Sequence, residues 1–231
     1  MNEMGFPPRL RVEPLETSAS LRTLAYDAIK RAITQMDIYG HAGKTRLDER
    51  RLSEDLGVSR TPIREAMTLL EQEGFVRSVP RRGIFVVRKT KQEIIEMITV
   101  WAALESMAAR LAAARASDKD LRALRRMFAE FEKDTPAAHV HEYSQANISF
   151  HQTIIRLGGC RLICDMTENL FIHMRAIRAV SIRQDNRAKK SMRDHLAIID
   201  ALEKRDADLA ERLVREHTLG LAAHVEKHGV F

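Results

Sequence analysis

Two pairs of residues in the second half of the chain, one holding an asparagine and a histidine and the other two histidines, have types and spacing that could do metal chemistry. "NISFHQTI" places Asn147 and His151 four residues apart, which is one turn of a helix and therefore one face. "RDHLAIIDALEKRDADLAERLVREHTLG" places His195 and His217 on either side of a turn near Asp206, each 11 residues from it. In an antiparallel helical hairpin, positions equidistant from the turn lie at the same height, so both side chains can face one site. Neutral imidazoles suit Zn, Ni, Cu or Fe(II). Three histidines around a metal with an open position can also do hydrolytic chemistry, and a metal-dependent hydrolase is the alternative reading. No H-E-x-x-H motif supplies a general base, and the nearby Asp165, Glu168, Asp194 and Glu216 have no diagnostic spacing.

A second constellation lies near the start of the chain. "SRTPIREAMTLLEQEGFV", Ser59 to Val76, opens with two arginines, two hydroxyls and a proline before apolar positions take over. Ile63, Ala66, Met67 and Leu70 form the buried stripe of a helix, while Arg60 and Arg64 share another face one turn apart. Pro62 is tolerated in the first turn, where no backbone N–H is needed for the ladder. The free N–H groups of that turn, with the hydroxyls of Ser59 and Thr61, can meet a phosphate.

Certain elements must position these groups. Apolar residues from Leu21 to Met36 recur at helical spacing; Thr17 or Ser18 is the expected cap, and Gly40 and Gly43 the expected end. A short helix from about Asp48 to Leu56 stops at Gly57, and the arginine-bearing helix begins at Ser59. The pair is a helix-turn-helix whose second helix enters the DNA major groove. "FVRSVPRRGIFVV" then reads as a two-stranded hairpin turning at Pro80–Gly83, a wing that brings Arg81, Arg82 and Gly83 toward the minor groove. From Lys91 onward only helical patterns occur, at 91–115, 118–134, 138–157, 160–182, 187–204 and 207–227, with breaks that include Thr135-Pro136 and a polar stretch near Asp185. The expected fold class is mainly α. A flexible arm (1–16) leads into a winged helix-turn-helix domain (17–88) and an all-α domain of six helices (91–228).

Composition agrees with a folded, helix-rich protein. Hydrophobic residues make up 45% of the 231, charged residues 30% and aromatics only 5%, which favours helix over strand. The net charge of +6 suits a polyanionic partner. Residues 1–90 carry 16 Lys/Arg against 12 Asp/Glu and residues 91–231 carry 22 against 20, so the excess is denser in the first part. No apolar run approaches a membrane span or the core of a signal peptide, and a cytoplasmic protein with no membrane partner is expected. Cys160 and Cys164 read as two reduced, partly buried thiols, since C-x3-C alone is not a zinc spacing.

"RLSEDLGVSRTPIREAMTLLEQEGFVRSVPRRGIFVV", Arg51 to Val87, resembles the winged helix-turn-helix of the GntR family of bacterial transcription regulators. The helical half resembles the FCD domain of its FadR subfamily, with six helices as in the VanR-type branch. The resemblance implies phosphate and base readers at Arg50, Arg60, Thr61 and Arg64 and a wing-tip glycine at Gly83. It implies a homodimer on a palindromic double-stranded operator, with DNA contact altered by a small metabolite, often a carboxylate, and not an enzyme. It also implies a divalent transition metal (Zn, Ni or Mn) on His151, His195 and His217. Asn147 stands where many members have Asp, so it is expected as a weak or water-mediated fourth partner. Trp101 stands where many members have an arginine that pairs with the effector carboxylate. Trp101 and His173 are therefore expected to line the effector pocket, with Arg175 and Arg178 as carboxylate partners from another helix.

Overall fold

The computed structural model of the chain describes residues 20–229, apart from 37, 40–42, 44, 132–139, 183, 185 and 186. The N-terminal arm, the caps expected at Thr17 or Ser18, Gly40, and the breaks at Thr135-Pro136 and Asp185 lie outside the described residues. Helix α1 spans Leu21–Gln35, capped by the side chain of Ser20, and buries Ala25, Ile29 and Ile33. Leu21 and Leu24, expected on the buried stripe, are exposed.

A two-residue strand β1 (Arg46–Leu47) precedes α2 (Glu49–Leu56). Asp48 caps α2 by accepting from the backbone N–H groups of Arg50 and Arg51, and Gly57 ends it in the left-handed conformation at φ 65°. Helix α3 (Arg60–Gln72) follows and buries Ile63, Ala66, Met67 and Leu70, the stripe expected from periodicity. Strands β2 (Val76–Val79) and β3 (Gly83–Val86) form the hairpin, with Val79 opposite Gly83. The sheet has a third strand that sequence patterning misses. β1 pairs antiparallel with β3, Arg46 opposite Phe85, so the order is β1-β3-β2. Two residues are too short to show an alternating pattern.

Six helices form the second half: α4 (Lys91–Arg115), α5 (Asp118–Arg126), α6 (Val140–Leu157), α7 (Arg161–Ser181), α8 (Arg187–Glu203) and α9 (Ala207–His228). Thr90 opens α4 with a capping box, its hydroxyl accepting from Glu93 N–H while Glu93 accepts from Thr90 N–H. Helix α5 is shorter than the expected 118–134. It ends at Arg126, and residues 127–131 are turn. Helix α4 is central, lying along α9 and against α6, α7 and α8. Gly158, just past α6, lets that helix end close on α4. A Cβ there would stand 2.8 Å from the Ala108 carbonyl oxygen. This approach brings the interior face of α6, with His151, against the face of α4 that carries Glu105.

One buried cluster runs from α1 and α3 through the sheet into α4, α7 and α9, joining Ile33, Leu70 and Phe75 to Ile98, Ile172 and Ile177. A second, inside the bundle, gathers Phe128, Tyr143, Phe150, Ile198 and Val214. Among the described residues no helix is long and apolar enough to cross a membrane.

Candidate functional site

The helix-turn-helix presents its polar face as expected. Arg50, Arg60, Thr61, Arg64, Arg81 and Arg82 are all exposed. Ser59 is the N-cap of α3 and makes no side-chain cap hydrogen bond. At the wing tip Arg81 has φ 62° and Gly83 φ 107°. Gly83 also leaves room for Arg46, because a Cβ would stand 2.8 Å from the Arg46 Nε. Arg46 thus brings a further cation beside the wing tip, one that sequence reasoning missed. A second missed residue is Glu49, on α2. Its carboxylate accepts from Arg64 Nε at 2.9 Å and stands 3.4 Å from Arg60 Nη2, so it gathers both arginines on one side of α3. Its signal was its place one residue after the α2 cap, facing the next helix.

The three histidines meet in the bundle interior. His195 is on α8, His217 on α9 and His151 on α6; all are buried. One ring nitrogen from each lies within 4.8 Å of the other two. Each Nδ1 is held from outside: that of His151 by Glu105, that of His217 by Asp194 at 3.1 Å, and that of His195 by the Tyr143 hydroxyl at 3.2 Å. The Nε2 atoms are the inward ones. Those of His195 and His217 are 3.2 Å apart.

The donor inventory fixes the protons. Carboxylates only accept, so His151 and His217 carry their protons on Nδ1 and present Nε2 lone pairs. His195 then donates from Nε2 to His217 and accepts from the Tyr143 hydroxyl at Nδ1. Burial drives all three imidazoles toward the neutral form: His151 and His195 titrate well below the usual histidine range, and His217 is lowered too. Neutral imidazole is the form that binds a metal.

Two neighbours complete the centre. Arg178, on α7 and fully buried, donates from Nη1 to His151 Nε2 at 2.6 Å. Burial lowers its guanidinium to about 10. Glu105 is buried beneath the histidines and accepts from Trp101 Nε1 at 2.7 Å, from the Thr218 hydroxyl at 3.0 Å and from His151, with Arg178 Nη2 at 3.7 Å. Burial pushes the Glu105 carboxyl upward, and Arg178 opposes that shift. Sequence reasoning missed Glu105, although a glutamate among the alanines and isoleucines of α4 is itself the signal for a buried, partnered carboxylate. Asn147 is buried, and its Oδ1 has no hydrogen-bond partner. Orphaned buried acceptors are rare, and this one sits a turn from His151 on the same helix face. A recess of about 220 Å³ lined by Arg187, Lys190, Asp194 and His217 leads from the surface to the centre.

The residues expected to line one effector pocket fall in three places. Arg178 belongs to the histidine centre. His173 shares a 2.9 Å hydrogen bond with the Tyr39 hydroxyl, which ties α7 to the loop after α1. Burial lowers His173 to about 4. Trp101 and Arg175 line a cavity at the seam between α1 and the bundle. Cys160 and Cys164 are partly buried free thiols.

A winged helix-turn-helix joined to a helical bundle with a polar buried centre defines a DNA-binding regulator. The chain belongs to the GntR family of bacterial regulatory proteins and is a transcription regulator. Residues 22–86 match the gntR family profile and residues 96–220 match the FCD domain. It is 27% identical to the HTH-type transcriptional repressor RspR of Escherichia coli, over 79% of this chain and 80% of that protein. It is 30% identical to the Uxu operon regulator of Haemophilus influenzae, over 73% of this chain and 69% of that one. The solved structure of Escherichia coli McbR/YncC shares the fold, with a TM-score of 0.73 at 21% identity, covering 91% of this chain and 99% of that chain. Family and relatives are DNA-binding regulators and not enzymes, so the hydrolase alternative has no support.

Proposed function

We propose that this regulator reads its operator with α3 and the wing, and that occupancy of the histidine centre by a divalent transition ion and an organic acid sets its DNA affinity. Residues 17–88 serve as the DNA-binding unit and 91–228 as the effector-binding and dimerisation unit. Arg60, Thr61 and Arg64 make the major-groove contacts. Arg50 and Ser59 hold phosphates, and Arg81, Arg82 and Gly83 shape the wing. Two copies on a palindromic site place their reading helices about one DNA turn, roughly 34–36 Å, apart. Exposed Val100 and Met107 on α4 and Leu162 and Met166 on α7 offer apolar surface for the second copy.

The observation that carries the centre is the outward tether on every Nδ1. Outer acceptors of this kind orient metal-binding imidazoles and raise their basicity. They leave the Nε2 lone pairs of His151 and His217 inward, and His195 would join them once its proton moves to Nδ1 and the Tyr143 hydroxyl accepts it. The orphaned Asn147 Oδ1 is the weak or water-mediated fourth partner, an oxygen beside three nitrogens. A bound ion would supply a Lewis-acidic positive centre for an anionic oxygen ligand. Arg178 provides a fixed cation beside that place, and Arg187 and Lys190 guard the approach. Together they favour a carboxylate and disfavour a neutral ligand. Arg178 thereby takes the part for which Trp101 has no charge. Nickel, zinc and manganese all remain within the chemistry of this donor set. Operator gel shifts on metal-loaded and chelated protein, with and without a panel of sugar acids and short hydroxy acids, test the reading. Operator affinity indifferent to both metal and every acid would overturn it.

A further inference from the structure

The seam between α1 and the helical bundle holds a cavity of about 550 Å³, away from the recess that leads to the histidines. Pockets that hold small organic molecules span roughly 300–1,000 Å³ and favour domain junctions. Phe75 from the loop after α3, Trp101 from α4 and Phe171 from α7 supply an aromatic lining, with the Trp101 and Phe171 rings 6.2 Å apart. Three guanidinium groups line the same space: Arg31 on α1, Arg156 on α6 and Arg175 on α7. None of the three has a carboxylate partner among the described residues. The other charges are largely spoken for. Lys30 is held by Glu73 at 2.8 Å and Asp165 by Arg161 at 3.7 Å, leaving Asp27 and Glu168 against three arginines. The uncompensated balance is one positive charge.

We propose that this cavity is a second small-molecule site, one that takes a monoanionic organic acid with an aromatic or bulky apolar body. The apolar body packs on the half-buried Phe171, with Phe75 and Trp101 closing the wall behind it, and the carboxylate meets the arginines. Planar guanidinium groups match a carboxylate with paired, charge-assisted hydrogen bonds. Such a ligand bridges the two halves of the chain, since Arg31 belongs to the DNA-binding half and Arg156 and Arg175 to the bundle. The bridge reaches the reading helix through α1. Lys30 and Tyr26 of α1 both bond Glu73, the C-cap residue of α3. It also adjoins the histidine centre, because Trp101 donates to Glu105, which holds His151. The site needs no metal, so its fate is separate from that of the histidine centre.

Trp101 is the only tryptophan in the chain, so its fluorescence reports on this cavity. The test titrates full-length protein, treated with EDTA, with 4-phenylbutyrate and 6-phenylhexanoate, and with the matching phenylalkanols. Trp101 emission and thermal melting are read together. Saturable binding of the acids is expected, with the alcohols weaker by about tenfold, as for loss of a charge-assisted hydrogen bond. Arg175→Met and Arg31→Met should each weaken the acid by about tenfold as well. Arg31 is exposed on α1, so its variant keeps the test valid if Arg175→Met proves unstable. No saturable binding to millimolar concentration would overturn the proposal. So would binding that appears only after zinc is restored, which would assign the acid to the histidine centre. Acid affinity unchanged in the Arg31 variant, or equal affinity for acids and alcohols, would also overturn it.

Discussion

Arg178 donates to Nε2 of His151 at 2.6 Å and so holds the lone pair that a metal ion on this histidine would use. The guanidinium must withdraw from that nitrogen when an ion binds, and the two cations then share a buried space with the single carboxylate of Glu105. Arg178→Met removes this competition. Zinc affinity measured by titration calorimetry without organic acid should rise, by about tenfold for one charged hydrogen bond. The metal-free variant should be less stable by about 3–5 kcal/mol, because Glu105 is left buried without its cation, and zinc should restore part of the loss. Zinc affinity that falls in this variant would mean Arg178 is a structural support for the site and not its competitor.

Glu105 acts on the centre through His151. Glu105→Gln keeps the shape, but with its amide oxygen on Trp101 and Thr218 its NH2 group faces His151 Nδ1, and the acceptor there is lost. Loss of such an outer partner costs about 10–100-fold in metal affinity. Asp194→Asn should do the same through His217. Dialysis against a metal buffer measures both, and unchanged affinity in both variants would remove the outer tethers from the account.

On the DNA side, Arg60→Ala and Arg64→Ala should each weaken operator binding by about 1–3 kcal/mol with the fold intact, since both lie on the exposed face. Binding should also weaken steeply with salt, as for any protein that neutralises several phosphates. Glu49→Ala releases both arginines from their shared carboxylate. It should raise affinity for non-specific DNA more than for the operator, because it adds net positive charge and removes the positioning. Gel shifts at two salt concentrations read all three, and wild-type operator affinity in both arginine variants would exclude α3 as the reader.

His173 makes stability depend on pH. Its folded-state value is about 4 against the usual 6.5, because burial disfavours the charged form. Below pH 6.5 the unfolded chain takes up a proton that the folded chain refuses. Stability therefore falls as pH drops from about 6.5 to about 4 and is fully present above that window. His173→Gln can keep a hydrogen bond to Tyr39 and does not titrate. The loss of stability between pH 7 and 4.5, read by urea unfolding, should be smaller in the variant by about 2–3 kcal/mol. An equal loss in both proteins would mean that His173 is already solvated.

The buried stripe of α3, the wing turn and most helix limits were legible because periodicity and glycine placement act locally. The pairing of His195 with His217 was legible as well, since a hairpin fixes height, whereas His151 was joined to them by the family resemblance and not by spacing. What was not legible depended on partners distant in sequence. Glu105 matters because it lies under His151, and Arg178 because α7 turns it inward and not outward with Arg175. Only two residues separate those two arginines, yet they serve different cavities. Strand β1 escaped notice because its partner, not its own pattern, makes it a strand.

The central claim is that the histidine centre holds a metal ion. Full-length protein purified without chelator, loaded with zinc, nickel or manganese at pH 7.5 and dialysed, should retain about one ion per chain by elemental analysis, while His195→Ala retains none and still binds operator DNA. Affinity should drop as pH falls, because protons compete for the same Nε2 atoms. Less than about a tenth of an equivalent in the wild-type protein with all three ions, by the ligand-count standard for a metal site, would contradict the claim and leave the three histidines as a hydrogen-bonded polar core.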